Sequence, residues 1–213
     1  MFELGLLCLV GMTLLAAKNN ALPGLFAMAG DEDMKIAGDS FKPAPSDGGE
    51  AEAKVYLEQK SSGNVEKARS LGRQFALALR ERVAESLNDP AFQGELAVRE
   101  HHKAVLYSYV INRVIADLSP NSILAQTALN VFYADLEQET PILADHVRDM
   151  AAYSLYILCE RSETCVDDEI GRIYARLCGE ENSPERMEEG NRCYREFYNL
   201  CSRLHQQTEY VSL

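Results

Sequence analysis

The motifs that carry the commonest enzyme chemistries are absent from this 213-residue chain. It has no Gly-x-x-x-x-Gly-Lys loop and no Gly-x-Gly-x-x-Gly turn, which excludes the two usual phosphate-binding motifs. The Gly-x-Ser-x-Gly elbow of hydrolases is missing, and so is the Glu-x-x-His spacing of di-iron bundles. No pair of cysteine and histidine stands out as a nucleophile with its base. These absences favour a non-enzymatic function, and the sequence predicts no cofactor.

Positive charge is scarce. Lys and Arg total 21 against 33 Asp and Glu, so the net charge is −12 and the pI is about 4.8. Such a surface repels phosphate backbones and anionic lipid headgroups over a Debye length. The most basic stretch, from Lys67 to Arg82, is interrupted by glutamates, which is typical of a solvated helix face with ion pairs. Nucleic-acid binding is therefore not expected.

Paired cysteine motifs are also missing. None of the six cysteines belongs to a Cys-x-x-Cys, which excludes a zinc ribbon and a thioredoxin-like redox pair. Cys8 lies in an apolar run, and several cysteines of the last third fall on apolar sides of predicted helices, where a free thiol behaves as a small hydrophobe. This pattern favours reduced cysteines and a cytoplasmic location.

Residues 2–17, FELGLLCLVGMTLLAA, form an apolar run with Glu3 as its one charge. As a helix the run would reach about 24 Å, short of a hydrocarbon core about 30 Å thick. Three interpretations stay open: a membrane anchor with the rest of the chain on the cytoplasmic side, a helix buried in the fold, and a signal peptide. Secretion is the least favoured, because Glu3 offsets the positive start that a signal peptide needs.

Three regions follow from the change of pattern along the chain. Residues 1–17 form the apolar N-terminal helix. Residues 18–49 are acidic and rich in proline and glycine with no sustained apolar period, which predicts a linker. Residues 50–213 keep a helical period almost throughout, which predicts the helical-bundle domain.

Every proline after residue 50 directly follows a residue that can cap a helix. Proline suits the first helical position, and Asp, Ser or Thr before it can accept a hydrogen bond from a free amide. The pairs are Asp89-Pro90, Ser119-Pro120, Thr140-Pro141 and Ser183-Pro184. They predict an all-α fold: an antiparallel helical bundle of about six or seven helices with an extra N-terminal apolar helix. The helix over 141–160 has a wide apolar sector and is expected near the centre.

Two sets of residues have the spacing of metal ligands on one helix. Asp145 and Asp149 are four residues apart with His146 beside them, and could bind a divalent ion, although a solvated polar face is the simpler interpretation. Cys201 and His205 are also four residues apart, a spacing that can hold zinc if other segments supply further ligands.

The spacing of a third possible pair of metal ligands argues against binding of one shared ion. His101 and His102 are neighbours, so on a helix their side chains leave about 100° apart. They are not expected to chelate one ion from a common face.

The last predicted helix carries a seam of apolar residues at steps of three and four. It either packs into the bundle or forms a dimer interface. The residues given as a possible interface are Met187, Tyr194, Phe197, Cys201 and Leu204.

The sequence thus favours a non-enzymatic helical scaffold or protein-interaction module. It would bind a protein partner or associate with itself, and would be tethered to a membrane if residues 2–17 are an anchor. The alternative is a helical bundle that binds a small molecule or a metal, and could be an enzyme, in a pocket between helices lined by tyrosine, histidine and cysteine.

Overall fold

The computed structural model describes residues 47–87, 95–161 and 166–212. Within these ranges there are eight α-helices and no strand, which confirms the expected all-α helical bundle. The apolar run over 2–17, most of the linker over 18–49 and the start at Asp89-Pro90 lie outside the described residues. The helices are α1 (Asp47–Ser61), α2 (Asn64–Leu87), α3 (Glu95–Leu118), α4 (Ser122–Glu139), α5 (Pro141–Val147), α6 (Met150–Arg161), α7 (Val166–Leu177) and α8 (Pro184–Gln206).

The chain divides into two units at Ser62 and Gly63, with α1 in the first and α2 to α8 in the second. Most described side chains of α1 are exposed. The hydroxyls of Ser61 and Ser62 donate to the carbonyls of Glu58 and Gln59, each at 2.9 Å, where α1 ends. These local bonds satisfy carbonyls that the end of a helix leaves free.

Helix α3 lies at the centre of the second unit, since it contacts each of the other six helices. All residues from Ala104 to Ile111 are buried, and a helix that is buried on every side needs neighbours all around it. The expectation that the helix over 141–160 is central is wrong. That segment packs mainly on one side of α3, and Leu158 is 58% exposed.

Helices α2 and α4 pack along each other through apolar stripes that the sequence period predicts. The buried stripe residues are Val65, Ala68, Phe75, Leu79 and Val83 on α2, and Leu124, Ala128, Phe132 and Leu136 on α4. Arg80 at the edge of this contact pairs with Asp135 at 2.7 Å, so this part of the basic stretch is used in an ion pair between helices.

Helices α7 and α8 approach closely because glycine stands at both contact points. A Cβ atom at Gly171 would lie 2.5 Å from the carbonyl oxygen of Met187, and one at Gly190 would lie 2.7 Å from Tyr174 Cβ. Both distances are far inside van der Waals contact, so only glycine fits without a shift of the backbone.

The apolar seam of α8 is packed inside this unit. Tyr194, Phe197 and Cys201 are buried, and the Phe197 ring lies 4.2 Å from that of Tyr107 on α3. Met187 and Leu204 are half-buried. The packing alternative therefore accounts for the seam, and the residues given as a possible interface do not form an open surface.

The helices that were predicted to begin at a proline differ in how their first turns are capped. At α8 the Ser183 hydroxyl accepts from the Arg186 amide at 3.2 Å, as predicted. At α5 the helix begins at Pro141, but the Thr140 side chain makes no cap. Helix α4 begins at Ser122 rather than behind Ser119, because the Ser119 amide still bonds to Ile115 of α3. Asn121 is the cap there, and its Oδ1 accepts from the Leu124 amide at 3.0 Å.

Gly179 ends α7, with a φ of +78°. The Glu180 amide bonds to the Ala175 carbonyl at 2.8 Å and the Gly179 amide to the Arg176 carbonyl at 3.0 Å. This is the paired bonding of a Schellman motif, which needs a left-handed residue that glycine adopts without strain.

The predicted helix over 141–160 is broken at Arg148 and Asp149, which is a correction to the sequence interpretation. The amides of these two residues bond three residues back, to the carbonyls of Asp145 and His146, and end α5. Asp149 Oδ1 then accepts from the amides of Ala151 and Ala152, each at 3.1 Å, and caps α6. An aspartate that caps a new helix competes with the continuation of the old one.

No helix in the described parts of the chain is long and apolar enough to cross a membrane.

Candidate metal centre

Three segments meet beside the first half of the central helix: α3 itself, the short α5, and the start of α6. They bring together His101 and His102 from α3, His146 from α5 and Asp149 from the break before α6. We call these four residues the histidine cluster. The break at Asp149 forms part of it, since the side chain that caps α6 also faces α3.

His101 lies between the other members of the cluster. Its Nε2 is 2.9 Å from Asp149 Oδ2, and its Nδ1 is 2.5 Å from His146 Nδ1. The rings of His101 and His146 meet edge to face, with centroids 4.8 Å apart. Because a carboxylate can only accept, His101 Nε2 carries the proton in the bond to Asp149.

His102 contributes a nitrogen with no protein partner. Its Nδ1 is buried and makes no hydrogen bond, and its ring centroid is 4.8 Å from that of His101. One ligand atom each from His101, His102 and Asp149 lie within 4.8 Å of one another. These three half-buried side chains can therefore reach a common ion.

The electrostatics favour the forms of these side chains that bind metals. Burial, assisted by the neighbouring His101, lowers the pKa of His102 and of His146, so both rings are neutral at neutral pH. Burial alone would raise the pKa of Asp149, but the hydrogen bond to His101 and those from the Ala152 and Ala151 amides lower it overall. The cluster thus presents a carboxylate and neutral imidazoles, as metal binding requires.

Imidazole nitrogen and carboxylate oxygen suit first-row divalent metals, zinc among them. Three protein ligands leave a fourth position of a tetrahedral ion open. Within residues 47–87, 95–161 and 166–212, no other group of three or more histidine, cysteine, aspartate or glutamate side chains has this proximity.

Of the three candidate ligands Asp145, His146 and Asp149, only the last two lie in the histidine cluster. The side chain of Asp145 is 82% exposed and lies 3.8 Å from Arg148, outside the cluster. His146 and Asp149 join it, but through contacts with His101.

His101 and His102 were not expected to share an ion, but one ligand atom of each lies within 4.8 Å of the other and of Asp149. The separation of about 100° describes neighbouring side chains on one helix, whereas these ligand atoms come from α3 and from the start of α6. The adjacent histidines themselves were the available signal.

The second candidate pair, Cys201 and His205, lies near the end of α8. Both side chains are buried, and burial raises the pKa of the Cys201 thiol and lowers that of His205. His205 Nε2 has no hydrogen bond, and its ring lies 5.6 Å from that of Tyr210. The described residues supply no third ligand, so zinc binding by this pair stays a prediction.

A second polar cluster lies between α3 and α8. Glu189 accepts from Arg99 at 2.8 Å and lies 3.2 Å from the Lys103 ammonium, and Arg186 bonds to its other oxygen. Lys103 also pairs with Glu100 at 2.8 Å, and Arg186 with Glu180 at 2.8 Å. We call these six residues the ion-pair cluster. Burial would raise the pKa of Glu189, but Arg99, Arg186 and Lys103 lower it to about 2.

An open groove of about 590 Å³ runs between α2 and α8, away from both clusters. It is lined by Arg82, Glu196, Asn199, Ser202, Arg203 and Gln206. None of these is a tyrosine, histidine or cysteine, so this groove differs from the pocket that the alternative function predicted.

The chain matches no protein-family model, no curated protein and no solved structure.

Proposed function

We propose that this protein binds a divalent transition-metal ion, with Zn²⁺ as the first candidate, through His101, His102 and Asp149. The observation that carries the proposal is the convergence of three ligand atoms within 4.8 Å, from a central helix and from the cap of another.

The state of His102 supports this function. Its Nδ1 is buried without a partner, and such an unsatisfied group costs about 1–3 kcal/mol. A bound ion would accept the lone pair of that nitrogen and remove the cost.

Asp149 is held in a comparable way. Two backbone amides fix Oδ1 at 3.1 Å each, and this leaves Oδ2 directed at His101. A ligand whose orientation is fixed before the ion arrives loses little conformational entropy on binding.

Metal binding has more support than the scaffold hypothesis. The scaffold hypothesis rested on the absence of catalytic motifs and on the many apolar residues of the helices predicted over 141–160 and 184–207. The seam of the second helix is packed within the bundle, and the first is two shorter helices with Asp149 between them. A protein partner or self-association stays a prediction.

Calorimetric titration of the chelator-treated full chain with Zn²⁺ tests the proposal. We expect one equivalent to bind. His102→Ala and Asp149→Asn should each weaken binding by more than the roughly 10–100-fold typical of outer-sphere changes. Asparagine is also a good helix cap, so Asp149→Asn leaves the start of α6 intact.

Asp145→Asn is the matched control, because it removes an exposed carboxylate four residues away. It should bind zinc like the wild type. Absence of binding to the wild type, or equal binding by all three variants, would overturn the proposal.

A further inference from the structure

His146 contacts the metal site without belonging to its ligand set. It lies on α5, and its Nδ1 is 2.5 Å from the Nδ1 of His101. The group of three ligand atoms within 4.8 Å of one another does not include it. A residue that touches a ligand in this way orients it rather than binds the ion.

The distance between the two nitrogens argues against His146 as a fourth ligand. Nitrogen ligands lie about 2.0–2.1 Å from zinc, so two of them 2.5 Å apart would subtend only about 75° at the ion, against about 109° for a tetrahedron. In this arrangement one ring binds the ion, and the second ring forms a hydrogen bond with the first.

With both rings neutral, the hydrogen bonds assign the proton of each ring in the metal-free protein. His101 Nε2–H donates to Asp149 Oδ2, so the Nδ1 of a neutral His101 carries a lone pair. That lone pair faces His146 Nδ1, which must then be the donor. The order is therefore His146 Nδ1–H to His101 Nδ1, and His101 Nε2–H to Asp149.

Metal binding requires the opposite arrangement. The nitrogen of His101 that faces Asp149 is Nε2, and it can bind an ion only after it loses its proton. The proton of a neutral His101 must then be on Nδ1, where it needs an acceptor 2.5 Å away. A neutral His146 with its proton on Nε2 offers that acceptor.

We infer that His146 is the positioning residue of this metal site, and that its Nδ1 accepts a hydrogen bond from His101 Nδ1–H when His101 Nε2 binds the ion. The inference rests on the proposed metal-binding function. The proton on His101 Nε2 leaves to water, the His146 Nδ1 proton moves to His101 Nδ1, and His146 Nε2 takes a proton from water. Both rings stay neutral and the number of bound protons does not change.

Zinc titrations of two His146 variants test this role. His146→Leu removes the acceptor and should weaken Zn²⁺ binding roughly 10–100-fold, the usual cost of losing an outer partner. His146→Gln retains a carbonyl acceptor and should restore most of the affinity. Asp145→Asn, on the same short helix and exposed, should leave it unchanged.

A second readout reports the proton directly. Long-range ¹H–¹⁵N NMR spectra of the wild-type protein should place the His101 proton on Nε2 without zinc and on Nδ1 with zinc. This measurement decides the matter even if His146→Leu fails to fold. A zinc-bound His101 that keeps its proton on Nε2, or a folded His146→Leu protein with wild-type affinity, would overturn the inference. Failure of the wild type to bind zinc would instead overturn the proposed function itself.

Discussion

Two polar clusters are built on neighbouring residues of α3, and they differ in how completely their groups are paired. Arg99 and Lys103 face α8, where each charge of the ion-pair cluster meets an opposite charge. His101 and His102 face α5, α6 and the end of α7, where one buried nitrogen has no partner and two imidazoles are pressed together.

Because of this difference in pairing, we assign the ion-pair cluster to the stability of the fold and the histidine cluster to binding. A charge out of water is tolerated when it is paired and hydrogen-bonded. Each charge of the ion-pair cluster has a partner of opposite sign, although Arg99 Nε makes no hydrogen bond. The histidine cluster has a carboxylate and a buried His102 nitrogen without a partner, and a bound cation would pair with both. We therefore expect changes in the first cluster to affect folding and changes in the second to affect binding.

The largest effect on folding is expected at Glu189. Glu189→Gln leaves Arg99, Lys103 and Arg186 without their shared anion, and should lower the free energy of unfolding by about 3–5 kcal/mol. Urea unfolding measures the loss. Glu188→Gln is the matched control: its pair with Arg195 is 64% and 49% exposed, so less than about 1 kcal/mol should be lost. Equal effects of the two variants would remove the special role of the ion-pair cluster.

Glu189 should also make the free energy of unfolding depend on pH under acidic conditions. The pKa of Glu189 falls from its ordinary value of 4.5 to about 2 in the folded protein. Its contribution is therefore fully present above pH 4.5 and is lost as the pH falls from 4.5 toward 2. The loss is on the order of 3 kcal/mol, from the size of the shift. Urea midpoints measured across this range should fall less steeply for Glu189→Gln, and an unchanged slope would contradict the assignment.

The close contact of α7 with α8 should be the next most sensitive feature. Gly171→Ala places a Cβ against the Met187 carbonyl and Asn191 Oδ1, and should lower the free energy of unfolding by about 1–3 kcal/mol. Arg172→Ala, on the exposed face of the same helix, should change it by about 0.5 kcal/mol or less. If Gly171→Ala leaves the free energy of unfolding unchanged, α7 and α8 can move apart without cost. The pairing of Glu189 then does not depend on the close approach of these two helices.

The smallest effect on folding is expected in the histidine cluster. His102→Leu removes a buried Nδ1 that has no partner and retains an apolar side chain, so the metal-free protein should stay within about 1 kcal/mol of wild type. Zinc at 100 times its Kd adds about 2.7 kcal/mol to a protein that binds it, and this gain should disappear. Thermal unfolding with and without zinc measures both. A loss of several kcal/mol without zinc would place His102 among the structural residues instead.

Much of the fold follows from the sequence, because its determinants are local. The period of four on α4 gives Leu124, Ala128, Phe132 and Leu136, and all four are buried. Ser183-Pro184 and Gly179 mark helix ends through bonds that reach only a few residues. The break at Asp149 is harder to see, because the apolar period continues on both sides of it and only the capping side chain interrupts it.

The candidate site follows from the sequence only in part. His146 and Asp149 were singled out from their spacing on one helix, but their partner His101 is about 45 residues earlier in the chain. The pairing of Arg99 with Glu189 spans 90 residues. Both depend on how α3 packs against other helices, and helix period alone carries no information on which faces meet.

We propose that the histidine cluster is a metal site and that the ion-pair cluster stabilises the fold. Diffraction from crystals of the full chain grown with Zn²⁺, measured on both sides of the zinc absorption edge, distinguishes the two clusters. We expect one strong anomalous peak in contact with His101 Nε2, His102 Nδ1 and Asp149 Oδ2. Zinc bound elsewhere on the chain with this position empty would contradict it.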